Sequence, residues 1–248
     1  MIEIQNLTKR FGDLTAVDDI SLTIPDGQFF GFLGPNGAGK TTTIKMITGL
    51  LRPDDGRVEI NGIDIQQNPE RAKRDIGYIP DIPFFYDKLT GEEFLQFVGR
   101  MYEMDEVKIR DGIDEMVELF HLESYIYQRM EQYSHGTKQK VVFSAAFIHH
   151  PPVIVIDEPM VGLDPQSARL LKDTLSHHVQ EGATIFMSTH TLPVVEELCD
   201  RVGIIREGAL IADGSMEELR SDDGQPESLE EIFLKLTYEE SSTAALRS

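Results

Sequence analysis

The stretch Gly34-Pro35-Asn36-Gly37-Ala38-Gly39-Lys40-Thr41 constrains this chain more than any other. It reads G-x-x-x-x-G-K-[ST]. An apolar run, Gln28 to Leu33, precedes it, and Thr42 to Leu50 follows with Ile44, Ile47 and Leu50 at helical spacing. Strand, glycine loop, helix is the setting in which this motif cradles phosphate. The glycines let successive N–H groups turn inward as an anion nest, and the helix N-terminus adds partial positive charge. Lys40 supplies a full charge for the β- and γ-phosphates, and Thr41 offers a hydroxyl to Mg²⁺.

The surrounding pattern predicts an α/β fold. Residues 1–25 alternate apolar and polar (Ile2, Ile4; Leu22, Ile24) and end at the turn signal Pro25-Asp26-Gly27. Arg57 to Ile60 reads as another strand, closed by Asn61-Gly62, a strong hairpin turn. From Thr90 the period changes. Thr90 and Glu93 form a capping box, and Phe94, Leu95, Val98, Met101 and Tyr102 make one helical face. Helical patterns continue from Val107 to Tyr127, so the middle of the chain reads as an all-helical insert. Val153 to Ile156, Ala183 to Ser188 and Val202 to Ile205 read as buried strands, with a helix over Ala168 to Val179. Strand and helix in alternation imply a parallel sheet. Ser221 to Glu227 reads as a linker. A short helix with a Ser228/Glu231 capping box follows, carrying Leu229, Ile232, Phe233 and Leu236 on one face, then a frayed tail from Glu239.

Composition narrows the functional classes. The net charge of −20 repels nucleic-acid phosphates and anionic lipid, so no nucleic-acid partner is expected. Arg71, Lys73 and Arg74 are followed at once by Asp75 and read as a solvated face. The single cysteine, Cys199, lies in an apolar helical pattern as a packing residue, in keeping with a reducing compartment. No apolar run approaches bilayer-spanning length, and MIEIQNLTKR opens on strand-like alternation rather than a leader.

Hydrolysis requires more than a phosphate cradle. Asp157-Glu158 closes the apolar strand Val153 to Ile156, where ligands of open α/β sheets bind. Asp157 is the candidate for the Mg²⁺ shell and Glu158 the candidate to orient and deprotonate water; the plainer alternative is a strand stop. His190 ends another buried strand and faces the same end, where a neutral imidazole can bond the γ-phosphate or the attacking water.

The order of these motifs resembles the nucleotide-binding domain of ABC transporters over nearly the whole chain. Phe11 matches the aromatic that stacks on adenine, Gly34 to Thr41 match Walker A, and Asp157 and Glu158 match Walker B and the catalytic glutamate. Gly162-Leu163-Asp164 matches the D-loop and His190 the switch histidine. Tyr133-Ser134-His135-Gly136-Thr137, directly before a helix read over Lys138 to Ile148, stands where the family has LSGGQ.

The resemblance implies a P-loop NTPase core with a parallel sheet, an antiparallel β subdomain and an α-helical insert. Residues 1–80 and 151–220 would form the core and 81–150 the helical subdomain, within an ATPase domain of 1–238; 221–248 would be linker, helix and tail. It implies ATP and Mg²⁺ as cofactors. The expected nucleotide contacts are Phe11, Val17, Gly34, Pro35, Asn36, Gly37, Ala38, Gly39, Lys40, Thr41, Thr42, Ser134 and Gly136. Glu158, His190 and Lys40 are the expected catalytic residues, and Thr41, Asp157 and Asp81 the expected metal residues.

The resemblance also implies partners. Two such domains bind head to tail, the signature of one reaching the γ-phosphate held by the other, so a second nucleotide-binding subunit, identical or not, is expected. An integral membrane subunit on a separate chain would dock near Ile82-Pro83-Phe84-Phe85-Tyr86, and the chain would sit at the cytoplasmic face of the cell membrane. That aromatic segment is equally readable as core packing under the insert. Competing functions are a soluble ABC-type ATPase not tied to transport and an ATP sensor with weak hydrolysis. Two departures stand out. His135 and Thr137 replace a glycine and the glutamine of the signature, and Asp81 replaces the glutamine expected after the strand Ile76 to Pro80. The Ser-His-Gly signature resembles that of exporter-like subunits.

Overall fold

The computed structural model describes residues 1–160, 162–220 and 228–239. The chain opens with the hairpin β1 (Ile2–Phe11) and β2 (Leu14–Ile24), then β3 (Phe29–Leu33) and α1 (Lys40–Ile47). A second hairpin, β4 (Asp55–Ile60) and β5 (Ile63–Asp64), leads through α2 (Pro69–Arg74) to β6 (Ile76–Ile79). Three helices follow, α3 (Gly91–Met101), α4 (Glu106–Phe120) and α5 (His135–Phe147). The chain then runs through β7 (Val153–Asp157), α6 (Pro165–Gln180), β8 (Thr184–Thr189), α7 (Leu192–Leu198), β9 (Arg201–Arg206) and β10 (Ala209–Ser215). Two short helices, α8 (Met216–Arg220) and α9 (Leu229–Leu234), end it, with a π-helical turn at Lys235–Glu239.

Two sheets result. The antiparallel one has the order β2-β1-β4-β5 and the larger one β10-β9-β3-β8-β7-β6. In the larger sheet β3 pairs in parallel with β8 and β9, and β7 with β6 and β8, while β10 runs antiparallel on the edge. Its central strands are buried on both faces, so alternate residues enter two cores. One face, with Leu33, Ile154, Ile156, Ile185 and Met187, packs under the helices. The other, with Phe30, Phe32, Val153, Val155 and Phe186, packs against the antiparallel sheet and α1. Phe186 anchors that second core, its ring centroid 5.7 Å from Phe30 and 5.2 Å from Phe32.

Local chemistry sets the element ends. Asn61 and Gly62 both have positive φ, 50° and 74°, and turn β4 into β5 as the dipeptide demands. The Thr90/Glu93 and Ser228/Glu231 capping boxes both form. Several expectations need correction. The helix after the phosphate motif starts at Lys40 and stops at Ile47, because Gly49 turns back at φ 65° and leaves Leu50 exposed. The helix expected from Lys138 starts at His135, because Ser134 caps it, accepting from the Thr137 N–H. Met101 lies on the outer side of α3, 68% exposed. The β9–β10 hairpin carries no Asn-Gly or Asp-Gly signal; Glu207 and Gly208 make its turn at φ 51° and 86°. The linker expected at 221–227 lies outside the described residues, as does the tail expected from Glu239 except for Glu239 itself, which closes the π-helical turn.

At the start of β6 the helical insert joins the sheet. The Tyr102 hydroxyl donates to Ile76 O at 3.0 Å, and the Tyr102 ring stacks on His149 with centroids 3.6 Å apart. Burial pushes the His149 imidazole down to about 4. The folded chain therefore holds this ring neutral at pH values where the unfolded chain, titrating near 6.5, binds a proton. Stability from this group is present above the unfolded value and is lost as pH falls from there toward the folded one. Urea titrations of wild type and His149→Phe should diverge least in acid: the wild-type advantage should shrink by about 2 kcal/mol between about pH 7 and about pH 4.5. An advantage that does not change with pH would contradict the assignment.

Candidate functional site

The parallel sheet carries the ends of β3, β7 and β8 to one edge, and the chemical groups collect there. After Leu33 the chain loops through Gly34 to Gly39 into α1. Two glycines are forced by close approach. A Cβ on Gly34 would lie 2.5 Å from Ile205 O, and one on Gly39, at φ 111°, would lie 2.4 Å from Ala16 O. The loop is braced from below: Gly208 N donates to Ala38 O at 3.0 Å, and Gly208 O accepts from Asp18 N at 2.9 Å. Thus the unforeseen β9–β10 turn ties the phosphate loop to β2.

Lys40 is almost fully buried, and its Nζ donates to Gly34 O at 2.7 Å and Pro35 O at 3.3 Å. It also pairs with Glu158 Oε1 at 3.8 Å. Burial lowers its pKa, and the neighbouring Glu158 and Asp157 charges oppose that shift. Asp157 ends β7 buried, with Oδ1 accepting from Ser188 Oγ at 2.5 Å. Glu158 turns out of the strand at φ 51°, a conformation disfavoured for a non-glycine residue, and its N–H donates to Ser188 O at 3.1 Å. That turn aims its carboxylate between two partners. Oε1 faces Lys40, while Oε2 lies 2.9 Å from His190 Nδ1 and accepts the His190 backbone N–H at 3.3 Å. Lys40, Glu158 and His190 therefore form one connected group.

A cavity of about 450 Å³ opens beside it. Phe11, Leu14 and Ala16 line its apolar end, and Asn36, Gly37, Gly39, Lys40, Thr41, Thr42, Asp81 and Glu158 its polar end. This shape offers an aromatic ring to a flat base and charge and amides to phosphates. Thr41, Asp81, Glu158 and nearby Asp157 supply the hard oxygens that suit Mg²⁺. Among the described residues no three His, Cys, Asp or Glu side chains converge as a ready metal cage. Asp81 follows β6 at a bend; burial first, then the Asp157 and Glu158 charges, raise its pKa. A larger cavity, about 680 Å³, lies at the opposite end of β6 beside Arg74, Tyr102 and His149, away from Lys40, Glu158 and His190.

The Val17 side chain is fully buried in the second core, where a Gly39 Cβ would lie 3.5 Å from its Cγ2, while Leu14 and Ala16 line the cavity. Ser134 and Gly136 stand apart from the cavity, at the N-terminus of α5. There His135 Nε2 lies 3.2 Å from the Cβ position of Gly162 and Asp164 Oδ2 lies 3.8 Å from that of Gly136. Of the Ile82 to Tyr86 segment, Ile82, Phe84 and Tyr86 are exposed, while Phe85 packs toward the core and the Tyr86 ring reaches core residue Phe94 at 6.2 Å. Sequence reasoning missed Ser188, which holds Asp157, although Ser188-Thr189-His190 was in view. It also missed Leu14 and Ala16, which carry no chemical signal.

The geometry agrees with the comparisons to known proteins. The family description "ABC transporter" matches residues 17–161. The linearmycin resistance ATP-binding protein LnrL of Bacillus subtilis is 38% identical over 89% of this chain and 71% of its own length. The ABC transporter ATP-binding protein NatA of the same species is 36% identical over 94% and 97%. A solved ATP-binding subunit of an ABC transporter superposes with a TM-score of 0.90 at 33% identity, covering 95% of this chain and 99% of that one. A dimeric bacterial ABC transporter cassette superposes at 0.78 with 25% identity, over 87% and 99%. No described helix is long and apolar enough to cross a membrane. The chain belongs to the ABC transporter family, as one of its ATP-binding, ATP-hydrolysing subunits.

Proposed function

We propose that this chain powers transport as one half of an ATP-driven clamp, with Glu158 as the general base of hydrolysis. The observation that carries the reading is the Glu158 carboxylate held between Lys40 and His190 at the mouth of the phosphate loop. In this reading the base of ATP stacks on Phe11, and the amides from Gly34 to Thr42 and the Lys40 ammonium hold the triphosphate. The γ-phosphate draws Lys40 toward itself, and Glu158 then takes the proton of the attacking water. His190 keeps the carboxylate oriented through Nδ1 and contacts the γ-phosphate. Thr41, Asp157 and Asp81 would hold Mg²⁺, which neutralises charge on the phosphate oxygens.

A single chain leaves the site half open. Ser134, Gly136 and the N-terminus of α5 lie away from the chain's own cavity and suit the γ-phosphate held by a second ATP-binding subunit. ATP then belongs to both partners only in the closed state, so its hydrolysis releases them. The membrane subunit, on a separate chain, docks on the exposed Ile82, Phe84 and Tyr86 together with Phe97 and Met101 of α3. Edge-on contacts at 5.4 Å between Phe84 and Tyr86, and at 5.7 Å between Tyr86 and Phe97, hold the rings in a fixed array. Exposed aromatic anchors of this kind suit an interface. Such docking would hold the chain at the cytoplasmic face of the membrane. The Ser-His-Gly signature and a relative named for resistance support export as the direction of transport.

Replacing Glu158 by Gln should lower steady-state ATPase activity by about 10²- to 10⁴-fold and trap an ATP-bound dimer by sedimentation. Unchanged turnover would remove Glu158 as the base. For the metal role, Asp81→Ala should raise the Mg²⁺ concentration for half-maximal hydrolysis, and Asp81→Gln, which keeps an oxygen donor, should raise it less. Unaltered Mg²⁺ dependence in both variants excludes Asp81 from the metal shell.

A further inference from the structure

Phe11 ends β1 at the open, apolar end of the cavity and is 50% exposed. A ring so exposed samples rotamers freely, and fixing it on binding costs entropy. One neighbour limits that freedom. Lys9 Nζ lies 5.6 Å from the Phe11 ring centroid, within the range of an attractive contact between a cation and an aromatic face.

The ammonium is itself held. It donates to Arg52 O at 2.9 Å and to Asp54 Oδ1 at 2.9 Å, and its side chain is only 13% exposed. Asp54 is fixed in turn. Its Oδ2 accepts the Arg10 N–H at 2.6 Å, and its own N–H donates to Thr8 O at 2.9 Å. The Arg10 N–H, and then the Lys9 ammonium, hold the Asp54 carboxyl below the usual carboxylate range. The segment between α1 and β4 therefore pins the cation, and the cation lies over the ring. Phe11 lines the cavity and Lys9 does not.

We infer that Lys9 is a positioning residue for the nucleotide base: pinned by Arg52 and Asp54, it fixes the Phe11 ring on which the base stacks. This rests on the reading that the base of ATP lies on Phe11. The effect of Lys9 is then confined to ligands that carry a base. A Lys9 that merely fastened the segment before β4 to the sheet would affect every ligand of the phosphate loop alike.

Calorimetric titration separates the two. With turnover blocked by Glu158→Gln, ATP and inorganic tripolyphosphate are titrated into the protein and into Lys9→Met, Lys9→Arg, Asp54→Asn and Phe11→Ala variants. Lys9→Met should weaken ATP binding about 3- to 10-fold and leave tripolyphosphate within about 2-fold. Lys9→Arg, which keeps a cation over the ring, should stay within about 2-fold for both ligands. Asp54→Asn should weaken ATP in the same sense but less. In the Phe11→Ala background Lys9→Met should add nothing. Equal weakening of both ligands, an unchanged ATP affinity, or a Lys9 effect that survives Phe11→Ala each overturns the inference. If Phe11→Ala alone leaves ATP as tight as before, the stacking reading fails and takes the role of Lys9 with it. If neither ligand binds the parent protein, the nucleotide site itself is wrong.

Discussion

The site depends on the parallel pairing of β3, β7 and β8. These strands are buried on both faces, so a one-residue slip would exchange the side chains that enter the two cores and break the packing of each. Fixed register brings Leu33 beside Thr189, and Asp157 beside Ser188. From those ends the chain must leave the sheet within a residue or two, which sets Lys40, Glu158 and His190 around one opening. The chemistry is therefore set by packing several residues away from it. A cavity left in the core at Phe186 would be felt at the catalytic edge as well as in stability.

Much of this was legible in the sequence, for a physical reason. A buried parallel strand must be wholly apolar, so Val153 to Ile156 and Ala183 to Ser188 announced themselves, and the polar residues that ended them marked the working edge. The glycines of the phosphate loop were equally readable, since Gly34 and Gly39 stand where a Cβ would strike backbone. Other features left no local trace. The Glu207-Gly208 turn is set by hydrogen bonds to Ala38 and Asp18, distant in sequence. Because β1 and β2 pair with several register shifts, the sequence alone does not say which β2 side chains face the cavity. Leu14 and Ala16 line the opening only because the hairpin folds over it.

The nucleotide pocket is electrostatically strained toward its ligand. Lys40 has lost most of its water and relies on two carbonyls and one carboxylate for compensation. Burial, and then the charges of Asp157 and Glu158, raise the cost of ionising Asp81 in the same small volume. In the proposed reading a triphosphate with its counter-ion would relieve both imbalances, since it would give the lysine a stronger partner and the carboxylates a cation to share. The same crowding would make a bare anion a poor substitute for the metal complex.

The bracing of the phosphate loop by Gly208 has a thermodynamic consequence. A loop of six residues between a strand and a helix would ordinarily lose its freedom when an anion arrives, and affinity would fall by that entropy. Here the amide of Gly208 on Ala38 and the amide of Asp18 on Gly208 remove the freedom when the two sheets assemble. An incoming triphosphate meets a cradle already frozen in shape. Recognition of the nucleotide is in that sense completed during folding.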